Sequence, residues 1–250
     1  MDSGIGGISI MRETVKLLPN EQYYYYADVD NVPYGLKSDD EILTLTDKAV
    51  NFLSAKGCDL VCIACNTATS VAAETLRNKY DFPIVGVEPA VKPAVREHDG
   101  SSKRILVLAT PVTVKRKRLH DLIARFDSEH LVDLKGLGKL PEFAEHGIFG
   151  GAELQAYLDS EFADIDTSAY SEIVLGCTHF IYFKEILSDY FLKNTVFLDG
   201  NEGTARHLYC IATEKQYKHY DEFGVSYFDS GRPVIKQDRL DFLNRFLIEK

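Results

Sequence analysis

Two segments of the 250-residue chain carry residues suited to proton transfer: Cys65-Asn66-Thr67-Ala68-Thr69 and Cys177-Thr178-His179. Each cysteine follows an apolar run and precedes a stretch read as a helix. The first helical N–H groups and the positive end of the helix dipole are therefore expected to face the thiol. Such surroundings lower a thiol from its free pKa of about 8.5 and favour the thiolate. The same donors bind carboxylates. Removing a proton from one face of a carbon and delivering another to the opposite face needs two groups in complementary protonation states, and one thiolate with one thiol meets that need. Asp2-Ser3-Gly4-Ile5-Gly6-Gly7 adds a Gly-rich turn before a helix starting near Ile8. Its glycines allow close backbone approach, and Asp2 and Ser3 offer an ammonium acceptor and a hydroxyl. Taken alone, a turn of this kind is common.

Cys58, Cys62, Cys65, Cys177 and Cys210 make an odd number of cysteines, and the first residues lack the basic and apolar regions of a signal peptide. These features argue against a disulfide framework and for a cytoplasmic protein. Cys62-x-x-Cys65 has the spacing of zinc ligands. On a continuing strand, however, the two side chains point to opposite faces and no polar knuckle follows, so no metal site is expected. Thioredoxin-like redox chemistry is disfavoured because Ile63-Ala64 lie in a buried strand. Cys58, Cys62 and Cys210 read as small core hydrophobes. The net charge of −10 argues against a nucleic-acid partner,. The basic run Lys115-Arg116-Lys117-Arg118 reads as the solvated face of a helix. No apolar run is long enough for a membrane span. An acidic chain gains no long-range attraction for an acidic ligand, so local N–H and hydroxyl donors must hold any carboxylate. A homodimer is left open.

The elements that must position these residues alternate. Apolar runs at Gln22–Ala27, Leu60–Ala64, Ile84–Val87, Ile105–Ala109, Glu172–Gly176 and Val196–Leu198 read as strands between amphipathic helices. Ser38 with Glu41 forms a capping box, Gly57 supplies a left-handed stop, and Pro89 and Pro111 suit first helical turns. Val61-Cys62-Ile63-Ala64-Cys65-Asn66-Thr67 resembles Ile173-Val174-Leu175-Gly176-Cys177-Thr178-His179, about one domain's length away. The expected fold is α/β, with two similar doubly wound domains whose mainly parallel sheets face a central cleft. The first spans residues 1–92 plus 206–250 and carries Cys65; the second spans 93–205 and carries Cys177. Each thiol then sits at the carboxyl end of a strand, where open α/β sheets bind ligands. Asp229-Ser230-Gly231 lacks further glycines and reads as an ordinary turn.

Asp2-Ser3-Gly4-Ile5-Gly6-Gly7, Pro33-Tyr34-Gly35, Ala64-Cys65-Asn66-Thr67-Ala68, Gly86-Val87-Glu88-Pro89, Ala109-Thr110 with Thr113-Val114, and Gly176-Cys177-Thr178-His179 occur in the order seen in glutamate racemase. The chain is similar to that family along nearly its whole length. The resemblance implies cofactor-independent racemisation of L- and D-glutamate, supplying D-glutamate for peptidoglycan synthesis. It implies that Cys65 takes the proton from the D-enantiomer and Cys177 from the L-enantiomer. Asp2 and Ser3 would lie at the substrate amino group, with Asp2 counted among the catalytic residues. Tyr34 and Gly35 would hold a carboxylate through backbone donors with Pro33 beside them in the substrate site, Asn66, Thr67 and Thr178 would add carboxylate contacts, and Thr113 would line the pocket. His179 would assist Cys177 and also touch substrate. Glu145, in Glu145-His146-Gly147, would assist nearby, although a solvated helix carboxylate explains it equally well. Without a pyridoxal electron sink, desolvation and preorganised donors must stabilise the carbanion. An aspartate racemase, a catalytically weak acidic amino-acid-binding protein and, third, a zinc-binding protein stand as alternatives.

Some positions depart from the family pattern. Arg116 replaces a small serine, Leu137-Gly138 replace Cys-Pro, and Phe180-Ile181-Tyr182 replace Tyr-Pro-Leu. These bear on the pocket shape and on the placing of Glu145. The family has a strand before the Asp-Ser-Gly turn, whereas here Met1 abuts Asp2. The expectation is a chain short at its N-terminus, with Asp2 on a frayed end and a place for about six apolar-rich residues before Met1. Val225-Ser226-Tyr227-Phe228 is expected to form a strand in a place of its own.

Overall fold

The computed structural model describes residues 1–98, 100–215, 217 and 222–248. In chain order, the first elements are α1 (Ile8–Leu17), β1 (Gln22–Ala27), α2 (Asp39–Ala55), β2 (Val61–Ile63), α3 (Asn66–Lys79) and β3 (Ile84–Gly86). There follow α4 (Val91–Glu97), β4 (Arg104–Ala109), α5 (Pro111–Lys115), α6 (Lys117–Phe126), β5 (Val132–Gly136), α7 (Leu140–Glu145) and α8 (Ala152–Phe162). The last are β6 (Tyr170–Leu175), α9 (Lys184–Ser188), β7 (Val196–Asp199), α10 (Asn201–Lys215), β8 (Gly224–Asp229), β9 (Arg232–Pro233) and α11 (Gln237–Ile248). The fold is α/β with mainly parallel sheets, in two compact units: Met1–Val87 with Asn201–Lys250, and Glu88–Gly200. Residues 216, 218–221 and 249–250 of the expected first domain, and residue 99 of the second, lie outside the described residues.

In the first unit β1 runs parallel to β8, from Gln22 opposite Gly224 to Ala27 opposite Asp229, and β9 turns back antiparallel to β8. Parallel β2 and β3 form a separate pair. Met1 and Asp2 fill the step between β1 and β2. Asp2 N–H donates to the Tyr26 carbonyl, Asp28 N–H to the Asp2 carbonyl, Ala64 N–H to the Met1 carbonyl, and the Met1 nitrogen to the Cys62 carbonyl at 2.7 Å. Asp2 is therefore fully buried, not frayed, and the Met1 nitrogen is anchored on the Cys62 carbonyl. Behind this two-residue step lies a cavity of about 200 Å³ whose lining includes Met1, Met11, Leu18, Tyr24, Leu53 and Cys62. Val225–Phe228 lies within β8, beside β1.

The second unit is a four-stranded parallel sheet in the order β5-β4-β6-β7. Its core includes Ile105, Val107 and Val174 against Val91 and Ala94 of α4 and Leu119 of α6. Strand β5 escaped the sequence reading because its residues, Val-Asp-Leu-Lys-Gly, are all only half-buried at a sheet edge. The Ser38–Glu41 capping box forms in both directions, Gly57 adopts φ +81°, and Pro111 opens α5. Pro89 does not enter a first turn; α4 starts two residues later, and the Pro89 carbonyl accepts the Val91 N–H. The run Lys115–Arg118 does not lie within one helix, because Arg116 is extended (ψ 129°) and separates α5 from α6. Lys117 and Arg118 pair with Asp121 and Glu88, so these two cations have local acids as partners.

Candidate active site

Cys65 caps α3. Strand β2 ends at Ile63, Cys65 keeps an extended backbone, and its Sγ accepts the N–H of Ala68 at 3.4 Å. A 14-residue helix thus starts at the sulfur with its positive end, which favours negative charge there. Asp2 sits beside the same strand end. A Cβ built on Gly7 would fall 2.7 Å from Ala64 Cβ and 2.9 Å from Asp2 Cβ, so only glycine lets the start of α1 press this close,. The Asp2 carboxylate folds onto its own turn, accepting Gly4 N–H at 2.8 Å, and Ser3 is buried next to it.

Tyr34 belongs to the same apolar cluster as Cys65 and Ala68. Its hydroxyl donates to Asp28 Oδ2 at 2.6 Å, and burial and then that carboxylate push the phenol far above its ordinary range. Pro33, after a cis peptide bond, and Gly35 flank it half-buried. Asn66 and Thr67 occupy the first turn of α3, both buried. Asn66 Oδ1 has no hydrogen-bond partner among the described residues. A buried acceptor without a partner costs on the order of 1–3 kcal/mol, so a ligand N–H would be stabilising there. The first unit thus gathers Asp2, Ser3, Tyr34, Cys65, Asn66 and Thr67 around one strand end.

In the second unit Gly176 and Cys177 follow β6. Gly176 N–H donates to the Leu108 carbonyl at 2.7 Å, extending the β4 ladder by one residue and holding Cys177 at the sheet's carboxyl edge. Here the expectation of a helix directly behind the thiol needs correction. Thr178–Phe183 form a 3-10 segment, with buried Phe180 and Phe183 three residues apart on one side, and Cys177 makes no cap hydrogen bond,. A chain of side chains takes its place. Cys177 Sγ lies 3.8 Å from His179 Nδ1, and His179 Nε2 lies 2.8 Å from Glu145 Oε1 at the end of α7. An ionised Glu145 can only accept, so Nε2 carries the hydrogen and Nδ1 presents a lone pair to the thiol. The His179 and Glu145 side chains are 3% and 10% exposed, which removes Glu145 from the class of solvated helix carboxylates.

Thr178 is buried behind Cys177. Thr113 is buried in α5, and its Oγ1 lies 2.9 Å from that of Thr110, the cap of that helix just beyond β4. Of the other cysteines, Cys58 and Cys62 are half-buried, and burial pushes both thiols up to about 11. Cys210 is exposed on α10, not a core residue. Among the described residues no group of three or more His, Cys, Asp or Glu is arranged to hold a metal ion. Sequence reasoning missed Asp28 and gave Thr110, named only within the Ala109-Thr110 motif, no role of its own. Nothing local in the polar run after β1 marks Asp28 as the residue that holds Tyr34.

Residues 6–208 match the family model described as Asp/Glu/Hydantoin racemase. The glutamate racemase of Campylobacter curvus is 47% identical across 98% of this chain and 94% of that protein. Glutamate racemase 2 of Bacillus subtilis is 40% identical across 95% and 89%. Among solved structures, Escherichia coli glutamate racemase in complex with L-glutamate and the activator UDP-MurNAc-Ala superposes with a TM-score of 0.79 at 32% identity, covering 98% of this chain and 92% of that one.

Proposed function

The chain belongs to the Asp/Glu/Hydantoin racemase family and is an amino-acid racemase, an isomerase; on that footing we propose that it interconverts L- and D-glutamate through Cys65 and Cys177. The observation that carries the acid–base reading is the Cys177–His179–Glu145 chain. Glutamate as the substrate rests on the curated relatives, which are named for it.

In the proposed reaction one thiolate takes the α-proton: the Cα–H bond breaks, an S–H bond forms and the electron pair stays on carbon. The opposite thiol then gives its proton to the other face. The enzyme is left with its two thiols in exchanged protonation states. Cys65 serves the D-enantiomer and Cys177 the L-enantiomer. Before Cys177 acts as base on the L-enantiomer, His179 Nδ1 takes the proton of its thiol, leaving thiolate and imidazolium, and Glu145 stabilises that imidazolium. Backbone N–H groups of Tyr34 and Gly35, with Thr67 and Thr178, hold carboxylate oxygens. Thr113 lines the pocket, while Asp2, Ser3 and the unpartnered Asn66 Oδ1 face the ammonium side. The product serves peptidoglycan synthesis in the cytoplasm.

Chiral chromatography of L- and D-glutamate and of L- and D-aspartate, each incubated with the protein, tests the reading. Conversion of both glutamate enantiomers to a racemate, undiminished after dialysis against EDTA and hydroxylamine, is expected. Preferential turnover of aspartate would replace glutamate as substrate. Loss on dialysis with recovery on adding back metal or pyridoxal phosphate would overturn the two-thiol mechanism.

A further inference from the structure

The turn Asp229-Ser230-Gly231 joins β8 to β9, and sequence alone gives it no role beyond reversing the chain. In the fold it meets the segment that follows β1, about 200 residues earlier. Ser230, at φ +47°, donates its N–H to the Ala27 carbonyl at 2.7 Å and its hydroxyl to Asp28 Oδ1 at 2.9 Å. The Ser230 Oγ in turn accepts the Asp30 N–H at 3.1 Å. Arg232 grips the Asp30 carboxylate with two nitrogens, at 2.6 and 2.8 Å. Asp28, 2% exposed, is the common point, because its carboxylate also takes Asn31 Nδ2 at 3.0 Å and the Tyr34 hydroxyl at 2.6 Å. These three side-chain bonds on Asp28 therefore come from the turn and from the segment 31–34 that leads into Pro33–Gly35.

We propose that Ser230 and Arg232 are positioning residues that hold the Pro33-Tyr34-Gly35 segment for the substrate carboxylate, Ser230 through Asp28 and Arg232 through Asp30. This rests on the reading that the segment binds a carboxylate. The physical case is preorganisation. Tyr34 and Gly35 present backbone donors from a connection with little regular structure, and donors that wander lose affinity for the bound carboxylate. A buried carboxylate accepting three side-chain donors fixes such a connection, because each bond is charge-assisted and all converge on one residue. The positive φ of Ser230 shows that the hydroxyl is not there for backbone comfort, since glycine would suit that conformation better.

That preference supplies the experiment. Ser230→Gly deletes the hydroxyl while easing the backbone, Ser230→Ala deletes it without easing, and Arg232→Lys keeps the charge but not the two-point grip. Each is compared with the parent by steady-state racemisation of glutamate, by melting temperature, and by amide hydrogen exchange across residues 31–36. The expected result for Ser230→Gly is an unchanged or raised melting temperature, faster exchange in 31–36, and a KM raised about five- to tenfold, the scale of one lost net hydrogen bond, with kcat within about twofold. Ser230→Ala gives the same kinetic split, Arg232→Lys a smaller one, and Ser230→Gly adds little in a Tyr34→Phe background because both act through Asp28. Unchanged exchange in 31–36 overturns the clamp. Faster exchange with unchanged KM shows a clamped segment that does not hold substrate, and so overturns the carboxylate reading and the positioning role built on it. A loss confined to kcat, or one that follows melting temperature alone, also overturns the proposal.

Discussion

Cys65 and Cys177 are chemically the same group in unlike surroundings. Cys65 has the N–H of Ala68 and the start of a long helix; Cys177 has His179 backed by Glu145. A hydroxyl in either place is far too weak an acid to form the needed anion near neutral pH, so Cys65→Ser and Cys177→Ser are each expected to lower turnover by at least about 10³-fold. Steady-state rates of purified, folded variants check this, with Cys58→Ser, Cys62→Ser and Cys210→Ser as controls. A control that loses as much as Cys65→Ser would sink the assignment. Glu145→Gln tests the second arrangement. The amide can turn an N–H toward His179 Nε2, which moves the imidazole hydrogen to Nδ1 and leaves the thiol facing a donor. A fall in kcat of about 10–100-fold with little change in melting temperature is expected; wild-type rates would return Glu145 to a packing role. The spacing of Cys177 and His179 was legible in the sequence. The closeness of Glu145 was not, because it comes from a different helix and nothing in Glu-His-Gly separates a buried carboxylate from a solvated one.

Strand ends deliver these groups, so the elements fail where their backbones are forced apart. A Cβ at Gly176 would lie 2.9 Å from the Leu108 carbonyl oxygen and 3.2 Å from Ala109 Cβ, both fixed parts of β4. Gly176→Ala should therefore part β6 from β4 one residue before the thiol, at a cost of about 1–3 kcal/mol or roughly 2–10 °C in Tm. Calorimetry and turnover should fall together, and a melting temperature equal to the parent's would show slack that the ladder does not suggest. On the other side of β4, Arg104 holds Asp133 of β5 with two nitrogens at 2.5 and 2.6 Å, and that bond keeps the Asp133 carboxyl below its ordinary 3.8. A depressed folded pKa stabilises above the unfolded value and loses that contribution as pH falls through the folded one. The gap in Tm between parent and Asp133→Asn should thus be present at about pH 6, shrink as pH falls past the ordinary carboxyl value and vanish once it passes the lowered folded one. A constant gap would mean packing, not charge. Buried strands such as β4 and β6 announce themselves by the apolar runs 105–109 and 173–175. Strand β5, half-wet and carrying Asp133 and Lys135, looks like a loop until its pairing is seen. The 3-10 segment after Cys177 hid behind an ordinary helical composition.

At the scale of the molecule, the α/β alternation and the echo between the two cysteine segments were readable because βαβ units are local in sequence. The turn at Ser230 and the step at Met1 were not, because each works only through strands brought in from elsewhere. The Met1–Asp2 step carries the last prediction. Two residues bridge β1 and β2, after which the strands share no ladder among the described residues, and a cavity of about 200 Å³ lies between side chains of both. Covering the apolar part of its lining removes that surface from water, which stabilises by about 25 cal/mol per Å². A designed extension of six apolar-rich residues joined before Met1 would run parallel to both neighbours. It would keep the Met1 N–H on the Cys62 carbonyl as an ordinary amide and lay side chains into the cavity. Net gain is limited by the entropy of ordering the added residues, so a rise of a few °C in Tm, at about 2–4 °C per kcal/mol for a chain of this size, is the expected outcome. Because Asp2 and Ala64 hang from the same step, turnover should rise with it or hold. The measurement sets the extended chain beside the present one and beside an extension of equal length built from Gly and Ser. Equal melting temperatures for all three would mean that the cavity does not accept a strand, whereas a gain for the apolar extension alone would assign the stabilisation to filling it.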